Sequence, residues 1–160
     1  MTGDVVTGGA LSTAETIGAT LGLLIAGFAR DGEANLLGQY AIQLPLMLFN
    51  YLYGCPPDLG ERMLAGMNGI FDMVEPEKAN AELTLCMTEV VALKRRQPGP
   101  DVPSWMMAHP AGLTDEEVVQ QLIPMMGAGT EPEANLIANG IRLLLSDERF
   151  AGDLSGGSLP

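Results

Sequence analysis

The chain has 160 residues, 20 of them acidic and 8 basic, for a formal net charge of −12. That length suffices for one domain with a packed core, and the charge balance excludes a basic nucleic-acid-binding face and disfavours binding to an anionic membrane surface. The cysteines Cys55 and Cys86 and the single histidine His109 do not have the spacing of a zinc or redox motif, so no metal site is expected and both thiols are expected free, as in a reducing compartment.

In chain order, Met1 to Leu11 is glycine-rich and reads as loop or frayed helix. Ser12 followed by Glu15 forms a capping-box pattern, and Ile17, Leu21, Leu24, Ile25 and Phe28 recur at helical spacing. Gly18, Gly22 and Gly27 weaken that helix unless they permit close packing. Glu33 to Tyr53 predicts a second helix, apolar nearly all round and kinked or divided at Pro45. Pro57 begins a third, with Asp58 in its first turn, running to about Phe71 through Leu59, Met63, Leu64, Met67 and Ile70.

Pro76 opens a fourth helix whose apolar stripe is Ala79, Leu83, Cys86, Met87, Val90, Val91 and Leu93. Asn80 and Glu82 are expected to face water. Lys94, Arg95 and Arg96 read as last-turn cations favoured by the helix dipole. Gln97-Pro98-Gly99-Pro100 is an internal turn or linker. Asp101 caps a short helix with Trp105 as its expected core anchor, and His109 to Gly112 is a turn.

Leu113 to Leu145 organises the rest. Thr114 and Glu117 can close a capping box, with Leu113 and Val118 as the hydrophobic staple. An apolar run of more than thirty residues follows. Pro124 and Pro132 lie inside it, around Gly127, Gly129 and the lone acid Glu131. That pattern predicts a break in a buried element, and such breaks are often sites. Thr130 and Asn135 are candidates to hydrogen-bond across the break, with a simple backbone bond as the alternative. Ser146 to Glu148 starts a short last helix, and residues 152–160 form a C-terminal loop by composition. Strand signals are almost absent. The expectation is a single all-α domain over residues 1–160, with antiparallel-tending helices around one long central helix.

Ala128-Gly129-Thr130-Glu131-Pro132-Glu133 resembles the oxygen-activation signature of cytochromes P450: alanine or glycine, glycine, any residue, an acid, threonine, then threonine or serine. Residues 101–107 resemble the short helix before the central one. Tyr53-Gly54-Cys55-Pro56-Pro57-Asp58 resembles the link upstream, and Glu33-Ala34-Asn35-Leu36 with Gln43-Leu44-Pro45-Leu46 the segment before that. The chain is thus similar to the central helical part of actinobacterial soluble members. The resemblance implies a haem-thiolate monooxygenase that oxidises a small hydrophobic molecule with electrons from a ferredoxin and reductase. It implies Glu131 as proton relay and Ala128 and Gly129 as haem-facing residues.

The resemblance has gaps. Neither Cys55 nor Cys86 lies in the family's phenylalanine-glycine-cysteine loop, and the glutamate-x-x-arginine pair is missing. Pro132 stands where the family has threonine. The expectation is a truncated P450-like segment that is inactive by itself. The competing expectation is a non-enzymatic helical interaction module, a remnant or a designed scaffold, recruiting a protein partner or self-associating through methionine-rich surfaces near residues 63–73 and 106–126. No apolar run is long enough for a membrane span, and Met1 to Gly9 lacks a basic leader region, so a cytoplasmic location is expected.

Overall fold

The computed structural model describes residues 13–147 and 149. Six α-helices and one π-helical turn make up the fold, and no strand occurs among the described residues. They are α1 (Thr13–Phe28), the π turn (Leu37–Ala41), α2 (Gln43–Leu52), α3 (Pro57–Phe71), α4 (Pro76–Arg96), α5 (Val102–Ala108) and α6 (Asp115–Ser146). The capping role expected of Ser12, most of the short last helix and the loop 152–160 lie outside the described residues.

Prolines start two helices where a missing N–H costs nothing. Pro57 and Pro76 each occupy the first turn, of α3 and α4. These two helices pack antiparallel. A Cβ at Gly69 would meet Ala79 and one at Gly66 would meet Leu83, while Arg62 pairs with Glu82 and Glu89. Glu82 is therefore an ion-pair partner rather than a purely solvated side chain.

α6 lies across this pair and α2. Its buried row, Val118, Leu122, Met126, Thr130 and Ala134, runs at a spacing of four. It meets Leu83, Met87, Val90 and Val91 of α4, Met63 and Met67 of α3, Leu46 of α2 and Tyr53 just after α2 in one core. At its start the capping box forms. The Glu117 N–H donates to Thr114 Oγ1 at 3.3 Å and the Thr114 N–H to Glu117 Oε2 at 2.8 Å. Leu113 packs on the same core as Val118.

Several expectations are corrected. α6 runs unbroken for 32 residues through Pro124 and Pro132. Each proline removes the N–H that would bond the carbonyl four residues back, Gln120 and Ala128. All four of those residues are exposed, so water can serve the orphaned carbonyls while the opposite side keeps its packing. The second unit divides at Ile42, where the chain passes from π turn to α2, and not at Pro45. Pro45 sits in the first turn of α2, where a proline is tolerated. That unit is not apolar-buried all round either: Tyr51 and Leu52 are exposed.

Gly18, Gly22 and Gly27 have open space where a Cβ would stand, so none serves close packing. Trp105 is 60% exposed and is no core anchor. Met63, Met67 and Met126 are buried in the core and form no methionine-rich docking surface; Met73 and Met125 are the exposed ones. Lys94 is buried and paired with Asp101, so it is more than a last-turn cation.

Candidate functional site

The signature residues occupy the middle of α6, and helical geometry separates them. Neighbouring residues on a helix project about 100° apart. Ala128, Glu131 and Pro132 are exposed; Gly129 and Thr130 turn toward the protein. At Gly129 a Cβ would stand 2.5 Å from Phe49 Cζ. Its lack of a side chain lets α2 approach α6. Thr130 is fully buried, and its hydroxyl donates to the Met126 carbonyl at 2.6 Å, the simple backbone bond. Asn135 makes no bond across a break, since there is none; its carbonyl accepts from Asn139 Nδ2 at 2.8 Å.

Beside this stretch lies a cleft of about 280 Å³. Leu37 and Ile42 from around the π turn, Phe71 and Asp72 from the end of α3, and Glu131 and Asn135 of α6 line it. Of the residues that the sequence singles out, Thr130, Glu131 and Asn135 border the cleft, and Ala128 and Gly129 do not. The structure adds Asp72, which lines the same cleft as Glu131; no local pattern could reveal this, because one closes α3 and the other lies on α6. The turn after Asp72 carries Met73 and Glu75 at φ 55° and 44°, in the left-handed region that favours glycine.

The cysteines are elsewhere. Cys55 lies on the link between α2 and α3, with its thiol 3.4 Å from Met63 Sδ. Burial pushes the thiol up to about 12, although the Lys94 ammonium pulls it the other way. Cys86 is wholly buried in α4, 3.7 Å from Glu82 Oε1, and burial raises it too. His109 Nδ1 accepts from the Ala111 N–H at 3.2 Å in its turn. Among the described residues no three His, Cys, Asp or Glu side chains are grouped to hold a metal ion.

No protein-family profile matches the chain. Curated proteins do. It is 32% identical over 125 residues to the cytochrome P450 monooxygenase PikC of Streptomyces venezuelae, covering 74% of this chain and 30% of that one. It is 28% identical over 130 residues to the vitamin D(3) 25-hydroxylase of Pseudonocardia autotrophica, covering 77% and 32%. Among solved structures, CYP154A1 from Streptomyces coelicolor A3(2) superposes with a TM-score of 0.66 at 25% identity, over 91% of this chain and 40% of that one. The chain is a relative of the cytochromes P450. The chain spans about a third of the length of the curated relatives it matches, and it is similar to their helical core. No described helix is long and apolar enough to cross a membrane.

Haem is the cofactor that the P450 family implies. The residues present do not fit it as a complete site. The exposed side of α6, with Ala128 and Pro132, offers a wall. Cys86 is instead packed in the core, and Cys55 lies half-buried against it, on the side that α6 covers with its buried row. The P450 relationship therefore rests on α6 and the helices under it, and not on an iron ligand.

Proposed function

We propose that this chain supplies the central helical layer of a P450-type haem monooxygenase and does not turn over substrate by itself. The observation that carries the reading is the exposed placement of Ala128, Glu131 and Pro132 along one unbroken helix, in a chain related to P450s. In this reading Glu131 is the proton-relay carboxylate, since it is exposed and borders a partly apolar cleft. Pro132 contributes neither a hydroxyl nor an N–H, so the relay rests on the carboxylate. Ala128 keeps the open side of α6 low. Gly129, assigned the same role by resemblance, has a packing reason for its size in Phe49. The complete enzyme would oxidise a small hydrophobic molecule and draw electrons from a ferredoxin and reductase.

A chimaera tests this. Residues 13–147 replace the matching part of the Streptomyces coelicolor protein, and haem content and product are measured with and without Glu131→Gln. The expected result is a haem-binding chimaera whose turnover falls about 100-fold or more on that substitution, the range of a lost acid–base group. A haem-loaded chimaera indifferent to Glu131→Gln would overturn the relay. Product from the isolated chain with a reductase system would overturn the claim that it is inactive alone.

A further inference from the structure

We infer that neither cysteine of this chain serves as an axial iron ligand, so that a haem meeting the chain finds no thiolate. The inference rests on the P450 reading only for the choice of haem as probe.

The argument is geometric. An axial donor must reach the iron directly, at roughly the 2.0–2.3 Å of nitrogen and sulfur ligands to first-row metals. The wall that α6 offers is its exposed side, at Ala128 and Pro132. The cysteines belong to the other side. Cys86 is wholly buried among the α4 residues that meet the inward row of α6, and Cys55 packs on the same core. A helix with its side chains is about 10–12 Å across. A haem on the open side of α6 therefore has the helix between its iron and the core.

Neither thiol is prepared for ligation. The ligand form is the thiolate, which needs an electropositive, partly open setting. Cys86 is wholly buried with Glu82 beside it, and Cys55 packs against a thioether; at both, burial outweighs the nearby cation, Arg62 or Lys94. Both behave as small apolar groups that complete the packing between α2, α3 and α4. His109 is exposed, but its Nδ1 accepts from the Ala111 N–H, which leaves the ring proton on Nε2 and no free imidazole lone pair for iron.

Two measurements on the full chain decide the matter. In the first, haemin is titrated into the chain, reduced, and exposed to carbon monoxide. The expected spectrum lacks the strongly red-shifted Soret band of thiolate ligation. Absence of haem binding also supports the inference. A thiolate-type band lost in Cys55→Ser or Cys86→Ser overturns it while strengthening the monooxygenase reading, so the two fail separately. In the second, which needs no variant, thiol labelling at neutral pH is compared in native buffer and in denaturant. At least a 100-fold slower native reaction at both positions is expected. Fast native labelling that haemin blocks would overturn the inference.

Discussion

Tyr53, the residue that closes α2, donates its buried hydroxyl to the Leu122 carbonyl of α6 at 2.8 Å, across 69 residues of sequence. The ring also packs against Phe49, with centroids 5.6 Å apart. Phe49 in turn touches Gly129. One aromatic pair thus sets how closely α2 approaches α6, at both Leu122 and the signature stretch. Burial raises the Tyr53 pKa, so the phenol keeps its proton and its donor role through the neutral range. Tyr53→Phe removes the hydrogen bond and keeps the ring. A loss of about 0.5–1.5 kcal/mol in urea unfolding is expected. An unchanged midpoint would mean the bond does not form in solution.

Gly129 and Gly140 make a matched test on the same helix. An alanine Cβ at 129 would stand 2.5 Å from Phe49 Cζ, and at 140 it would meet nothing within 4 Å. Alanine is favoured over glycine in a helix by about 1 kcal/mol. Gly140→Ala should therefore stabilise by up to about 1 kcal/mol. Gly129→Ala should destabilise by about 1–3 kcal/mol, because overpacking outweighs propensity. Equal effects of the two in thermal melts would show that Gly129 does not seat Phe49.

Trp105, the only tryptophan, lies 60% exposed on α5. Its emission should be that of a solvated indole and acrylamide should quench it readily. Trp105→Ala should change stability by no more than about 0.5 kcal/mol, as for a surface position. Blue-shifted, protected emission would place the ring in a core or an interface.

Much of this fold can be read from the sequence wherever a local signal and the tertiary demand agree. Pro57 and Pro76 start helices because their fixed backbone suits a first turn, and Thr114 with Glu117 closes its box with no help from elsewhere. The departures arise where packing overrides propensity. Pro124 and Pro132 predict a break, yet the buried row from Val118 to Ala134 holds the helix through both. Pro45 predicts a kink, yet the chain changes geometry at Ile42, through a π-type bond from the Ile42 N–H to the Leu37 carbonyl. At the candidate site, the stretch around Glu131 is visible in the sequence; which of its residues face outward is not. Asp72 and Phe71 reach the cleft only through the α3–α4 hairpin. Trp105 shows the same limit, since its apolar character does not say which way a short helix turns it.

Lys94 and Asp101 give the sharpest test of how α4 and α5 are joined. Their ion pair, at 2.8 Å, is nearly buried. Asp101 also accepts from the Ser104 N–H at 2.9 Å as the cap of α5, and the Ser104 hydroxyl accepts from the Gly99 N–H at 3.0 Å. Gly54, at φ 59°, lies against the pair, with no room for a Cβ beside Lys94 Nζ. Burial alone would push the Asp101 carboxyl up, but its hydrogen bonds from Lys94 and Ser104 outweigh that and hold it below its ordinary value. On acidification the unfolded chain therefore takes up the proton first. The stability this carboxylate contributes is complete above the unfolded carboxyl range, near pH 4, and is lost as pH falls through the lower folded value. Asp101→Asn keeps an oxygen for the cap and removes the charge. It should destabilise the chain by about 3–5 kcal/mol at neutral pH, because Lys94 is left buried without its partner. The gap to the unsubstituted chain should narrow as the melts are taken below about pH 4. Lys94→Met in the same background should restore part of the loss, since it removes the stranded charge. A neutral-pH melt of Asp101→Asn indistinguishable from the unsubstituted chain would show that α4 and α5 are held together by apolar packing alone.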